Sequence, residues 1–403
     1  MQQDERLAAL GTGLQQVHAE AVGVDGGGPH SAQQRHGVIV GGRWRVVNPP
    51  SGRVGDVRVV LATPLDEDLC RLVEEREPRL TLVREHALLP PMRWPSDHTG
   101  DPDWRRTPAQ QRRFEELLDS ADALYGIPGE HDAAALARTV AANPRLRWVQ
   151  TMAAGGGATV RAAGLTAAQL ERVVFTTTAG VHGGPLAEFA VFGLLAGAKT
   201  LPRLQARQRA HEWGPRWFMG QLADRTVLVV GLGGIGREVV RRLRAFDCRV
   251  IGTARRPGPP PEGVDEVVHP DDLASVVGRV DGIVVTLPAT AATERLIGPA
   301  MLAAVRPDCT LVNVGRGTVI DEPALVEALR DGRIGFAALD VVAEEPLDPA
   351  SPLWDLENVL ISPHTATLDR QEDRRIAELF ADNASRLLDG RPLRNIVDTV
   401  EFY

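Results

Sequence analysis

Cysteine is scarce in this sequence. Cys70, Cys248 and Cys309 are its three, far apart and in no C-x-x-C pair. That excludes a disulfide framework and a zinc site, so no metal is expected, and it suits a reducing compartment, the cytoplasm. Excess positive charge is absent too: the formal net charge is −8, with no basic footprint for nucleic acid. The arginines are interleaved with Glu and Asp, as on solvated helix faces. Asp4 and Glu5 stand at the N-terminus without an apolar core behind them, so no secretory signal is expected. The longest apolar run, Phe189 to Ala198, is too short to span a bilayer. No internal repeat is visible. What is present is ordinary globular text, 43% hydrophobic over 403 residues, enough for two or three domains with cores.

Residues 1–55 show no sustained period and read as a flexible extension. Within them Val38–Val40 and Trp44–Val47 could pair as a hairpin around Gly41-Gly42. From Val57 the text alternates. Strands read at Arg58–Thr63, Leu80–Val83, Ala123–Tyr125, Arg147–Gln150 and Val173–Thr176, with helices at Leu65–Arg76, Ala109–Asp119 and Asp132–Ala142. A long helix from Pro185 to Lys199 is expected to stop at Leu201-Pro202. A second set of strands follows, at Val227–Val230, Arg249–Gly252, Gly282–Thr286, Thr310–Asn313 and Phe336–Leu339. Alternation of this kind implies α/β architecture with two doubly wound parallel sheets. A last helix, Gln371–Leu388, is expected to pack back on the first sheet.

The densest signal is Val227-Leu228-Val229-Val230-Gly231-Leu232-Gly233-Gly234-Ile235-Gly236. A buried strand runs into G-x-G-x-x-G and then into residues of helical spacing, the dinucleotide fingerprint. Gly231 makes the tight turn, Gly233 admits a pyrophosphate, and Gly236 lets helix and strand pack closely. Gly234 and Ile235 open a helix whose free N–H groups suit phosphate. A glycine turn closing an ordinary βαβ unit is the alternative. The next strand ends in Thr253-Ala254-Arg255-Arg256, without the carboxylate that would hold a ribose 2′-OH. Guanidinium forks there suit the 2′-phosphate of NADP, with NAD as the second choice.

Three polar residues fall beyond strand ends, where open α/β sheets bind ligands. Arg316, in Gly315-Arg316-Gly317, can hold a carboxylate and polarise a carbonyl. His364 suits proton transfer because imidazole titrates near working pH, and Glu345 can orient its ring. Singly, each could be an ordinary surface residue.

Together with Thr286-Leu287-Pro288, Val312–Gly317, Ala338-Leu339-Asp340-Val341, Glu345-Pro346-Leu347, Pro352-Leu353-Trp354, Ser362–Ala366 and Asn395–Asp398, the chain from about residue 57 resembles the D-isomer-specific 2-hydroxyacid dehydrogenase family. The resemblance implies a Rossmann cofactor domain at 184–364 inserted into a flavodoxin-like substrate domain at 56–183 and 365–403. It implies that Arg316 anchors the substrate, that His364 paired with Glu345 moves the proton, and that Pro288 and Asp340 lie beside the nicotinamide. Ala154 and Gly155, in Ala153–Gly156, resemble the loop whose N–H groups hold the substrate carboxylate. Gly180–Gly183 and Ala187-Glu188 resemble the hinge. Arg255-Arg256 resembles the NADP-preferring glyoxylate/hydroxypyruvate reductase branch. The partners implied are a small 2-oxo or 2-hydroxy acid and a second copy of the chain, with no nucleic acid and no membrane.

There are departures. Extra glycines, Gly156 and Gly157, are expected to loosen the carboxylate loop, and Thr176–Ala179 stands where Asn is common. Residues 1–55 have no counterpart, and a regulatory domain beyond Tyr403 is not expected. Trp94, His98, Trp213 and Trp217 are candidates for substrate selection, the last two alternatively for a subunit interface. A non-catalytic cofactor sensor like the C-terminal-binding-protein corepressors is the other reading; its NAD preference and peptide groove have no match in this sequence.

Overall fold

The computed structural model describes residues 37–40, 43–46, 57–256, 258–400 and 402, the first two runs as backbone. Strands β1 (Gly37–Val40) and β2 (Arg43–Val46) pair antiparallel, as the hairpin reading expects. The rest of the proposed flexible extension lies outside the described residues.

Beyond them stand two parallel sheets. The first holds β3 (Val57–Leu61), β4 (Leu80–Val83), β5 (Ala123–Tyr125), β6 (Trp148–Gln150) and β7 (Val174–Thr176), in the order β4-β3-β5-β6-β7. The second holds β8 (Thr226–Val230), β9 (Arg249–Thr253), β10 (Glu266–Val268), β11 (Gly282–Val285), β12 (Cys309–Asn313), β13 (Ile334–Leu339) and β14 (Val359–Ile361). Its order is β10-β9-β8-β11-β12-β13-β14. The first is the flavodoxin-like order; the second is the Rossmann order with one strand added. Near-continuous apolar runs such as Val57–Leu61 and Val227–Val230 form such strands because helices cover both faces. The edge strands β10 and β14 are half-buried and three residues long, and were not marked by the sequence.

The chain passes between the sheets twice. After β7 it enters the helix Gly183–Ala198, which packs on the second sheet with glycine in place of side chain. A Cβ at Gly193 would stand 2.7 Å from Ala338 Cβ, and one at Gly197 2.2 Å from Thr310 Oγ1. The chain returns after β14, and the helix Glu372–Leu388 buries Ile376, Phe380 and Leu387 against the first sheet. Phe380 stacks on Trp148 at 4.4 Å and meets Tyr125 edge-on at 5.1 Å between ring centroids. The two crossings are joined by His182, whose Nε2 bonds Glu372 Oε1 at 2.7 Å, both side chains buried.

Leu201-Pro202 does not leave the chain unwound. Thr200, at φ +52, breaks the preceding helix, and a new one starts at Leu201–Arg209. Proline in a first turn forfeits no hydrogen bond, so Pro202 opens a helix there.

Candidate active site

The glycine turn follows β8. Gly231 takes φ +107, and its N–H donates to Thr253 Oγ1 at 2.9 Å. Thr286 Oγ1 donates to Gly231 O at 2.8 Å. These two threonines pin the turn to the ends of β9 and β11. A Cβ at Gly236 would lie 1.9 Å from Gly231 O, so helix and turn close on each other. At Gly233, the N-cap of the helix Gly234–Arg244, a Cβ would meet open space and no side chain caps the N–H groups. A phosphate fits this cradle. Ile235 is half-buried beside it. Gly180, just before the first crossing helix, touches the same turn: a Cβ at Gly234 would be 3.4 Å from Gly180 Cα. Arg255 and Arg256, both exposed, stand just past the end of β9 that Thr253 ties to the turn.

Arg316 sits one loop over, beyond β12. Buried Asn313 shapes its turn, accepting from Gly315 N at 3.0 Å and donating from Nδ2 to Arg316 O at 3.1 Å. A Cβ at Gly315 would be 2.5 Å from Leu287 O, and one at Gly317 1.9 Å from Val342 C. Glycine thus lets the Arg316 turn wedge between the β11 loop, which carries exposed Pro288, and the β13 loop. The guanidinium reaches across to the first sheet, where a Cβ at Gly155 would be 3.4 Å from Arg316 Nη2. Arg316 Nη1 also donates to Gly315 O at 2.6 Å.

Glu345 Oε1 accepts from Val342 N at 3.3 Å, and Glu345 Oε2 accepts from His364 Nδ1 at 2.7 Å. Both side chains are over a third exposed, so substrate can reach them. His364 adopts φ +53, held by its N–H donating to Asp340 O at 2.9 Å. Asp340 is buried and organises this loop through Oδ1, which accepts from Ser362 Oγ at 2.7 Å and from Thr365 N and Ala366 N at 3.0 Å each. All three bonds go to this one oxygen and hold the loop that carries His364.

The loop at Ala153–Gly157 is tighter than its glycines suggest. Gly156 N donates to Ala153 O at 3.1 Å and Ala158 N to Gly155 O at 3.1 Å, and a helix starts at Gly157. A Cβ at Gly156 would stand 1.9 Å from Thr151 Oγ1, so glycine is needed for packing there. Ala154 and Gly155 remain exposed.

The structure therefore gathers Ala154, Gly155, Pro288, Arg316, Glu345 and His364 on adjoining loops, with the glycine turn beside them. It does not gather the aromatic candidates. Trp94 lies under the Arg93 guanidinium, 4.1 Å from its ring centroid. Trp217 bonds Thr200 and carries Arg203 4.2 Å above its ring, and Trp213 is fully exposed. Sequence reading missed Thr253, Thr286, Asn313 and Ser362, small polar residues whose roles have no local signature. His98, taken in the sequence as a substrate-selection candidate, instead lies in a buried cluster that sequence reading did not foresee. His98 Nε2 stands 3.7 Å from Asp373 Oδ1 beside His182 and Glu372. Burial pushes His98 down and Asp373 up, disfavouring the charged form of each.

A Rossmann-ordered sheet carrying Arg, Glu and His on neighbouring strand ends is the build of an NAD(P)-dependent dehydrogenase. The sequence profile of the D-isomer specific 2-hydroxyacid dehydrogenase NAD binding domain matches residues 191–366. A glyoxylate/hydroxypyruvate reductase B of Pectobacterium atrosepticum is 33% identical over 286 residues, 70% of this chain and 87% of that protein. The chain belongs to the D-isomer-specific 2-hydroxyacid dehydrogenase family, and is an oxidoreductase of that family. Solved structures agree. A family member from Xanthobacter autotrophicus in complex with NADPH aligns at TM-score 0.67 and 27% identity, over 86% of this chain and 99% of that one. An NADPH-dependent glyoxylate/hydroxypyruvate reductase from Sinorhizobium meliloti aligns at TM-score 0.65 and 25% identity, over 87% and 100%. No described helix is long and apolar enough to cross a membrane.

Proposed function

We propose that this enzyme reduces a small 2-oxo acid to the D-2-hydroxy acid with NADPH. The observation that carries the reading is the 2.7 Å His364–Glu345 bond on a loop adjoining the Arg316 turn. NADPH, when bound, supplies the hydride; its pyrophosphate would lie on Gly231–Gly236 and its 2′-phosphate against Arg255 and Arg256. Arg316 and the N–H groups of Ala154 and Gly155 would hold the substrate carboxylate, with the guanidinium also polarising the carbonyl. Glu345 fixes the His364 ring through Nδ1, which leaves Nε2 to give its proton to the substrate oxygen. Pro288 and Asp340 would flank the nicotinamide.

Residues 56–183 with 365–403 form the substrate domain in this reading, and 184–364 the cofactor domain. The working unit is a homodimer, for which fully exposed Trp213 and Phe218 offer apolar surface. The three buried free thiols suit the cytoplasm.

The test is NADPH and NADH oxidation against glyoxylate, hydroxypyruvate, pyruvate, phenylpyruvate and branched 2-oxo acids. His364→Ala and Arg316→Ala are each expected to lose about 10²–10⁴-fold in turnover while cofactor fluorescence quenching is kept. No oxidation with any acid, or unchanged turnover in either variant, overturns the reading.

A further inference from the structure

The order of the first sheet reverses between β3 and β5, and open α/β sheets take ligands at such a point. A cleft of about 330 Å³ opens there, walled by Ala62 after β3, Gly129 after β5, and the segment His98–Arg106. Thr63 Oγ1 donates to His98 O at 2.6 Å, which ties that segment to the strand end.

The cleft's charges are unbalanced. Arg105 and Arg106 line it with a single carboxylate, Asp101, whose Oδ1 accepts from Asp103 N at 2.9 Å. Among the described residues neither arginine makes an ion pair. Arg105 bonds the carbonyls of Pro102 and Trp104. Arg106 donates from Nε to Leu88 O at 2.6 Å and lies 3.8 Å above the Phe114 ring. Burial alone pushes its guanidinium below the ordinary value; no acid lifts it back. A half-buried guanidinium fixed at Nε and on an aromatic face, without a counter-charge, is prepared for an anion. The cleft opens on the same sheet edge as Ala154 and Gly155. Strands stand about 4.8 Å apart, so β3 and β5 end roughly 5–10 Å from β6. That is the span of a short carbon chain.

We propose that this cleft is an anion site for a carboxylate or phosphate group, and that its occupant is the far end of a two-ended 2-oxo acid. The second half rests on the reductase reading above; the first does not.

Two measurements on the full chain separate the sources. With NADPH present, kcat/KM is compared for 2-oxoglutarate and 2-oxovalerate, equal in length and differing in the far carboxylate, with glyoxylate as the short reference. The dicarboxylate is expected to be favoured about tenfold or more, the worth of one hydrogen bond to a charged group. Arg106→Gln should erase that ratio and Arg106→Lys restore part of it. Arg105→Gln, at an exposed position, gives a second reading should the Arg106 variants fold poorly. Separately, inorganic phosphate is titrated calorimetrically into the wild type and Arg106→Gln. Phosphate binding lost in the variant, without a dicarboxylate preference, keeps the anion site and assigns it to a free anion. Neither preference nor phosphate binding overturns the proposal. Glyoxylate reduced with no such preference leaves the reductase reading standing. Failure of every 2-oxo acid sinks that reading, while the phosphate titration still decides the cleft.

Discussion

Glu130 is the residue whose ionisation costs the fold most plainly. It is buried, its Oε2 has no partner among the described residues, and burial lifts its carboxyl from 4.5 to about 7. A folded-state value above the unfolded one gives stability that is full below about pH 4.5 and lost as pH rises through 7. At about 1.4 kcal/mol per pH unit the loss approaches 3.5 kcal/mol. Glu130→Gln should therefore raise the melting temperature at pH 8 and leave it nearly unchanged at pH 4.5; equal effects at both pH values would refute this. Arg255 is expected to matter differently. Arg255→Ala should bring kcat/KM for NADPH down toward that for NADH, with stability unaltered, as measured by steady-state kinetics with both cofactors. Arg255 and Arg256 drew notice in the sequence because an expected acid is missing. Glu130 did not, since an acid near Gly129 reads as an ordinary turn residue until burial is known.

Among the elements, the strand–turn–helix at 226–244 is the most exacting. Gly236→Ala would press a methyl group onto the Gly231 carbonyl at 1.9 Å, so either the turn or the helix must move. We expect NADPH affinity to fall by at least about tenfold, read by fluorescence titration, while far-ultraviolet circular dichroism is kept; such a loss is the ordinary result of backbone overpacking. This element was legible because its signals agree: a Val run, glycines at fixed offsets, then helical spacing. Edge strands β10 and β14 were not, because three residues are too few to show a period. The turn at Arg316 was legible through its two glycines. Asn313, which shapes it, was not, since its bonds depend on burial beneath β12.

For the whole molecule, the exposed apolar side chains ask for a partner. Trp213 and Phe218 are fully exposed and Met219 partly so. Large apolar side chains bared within seven residues of one chain segment suit a subunit interface. The enzyme should sediment as a dimer, and a Trp213→Ala, Phe218→Ser double variant as a monomer, by analytical ultracentrifugation. A wild type sedimenting as a monomer would remove the case for the interface. Alternation of strands and helices foretold two sheets. That the last helix returns to the first sheet could be read only from its place beyond the second set of strands. That return has a consequence in time. Tyr125 and Trp148 leave the ribosome long before Phe380, the ring that covers them, with the entire Rossmann sheet synthesised in between. At roughly 5–20 residues per second the wait is on the order of ten seconds or more. Through that interval the nascent first sheet shows a bare aromatic face, and a transcript cut short before Glu372 would yield a chain that chaperones hold and proteases clear.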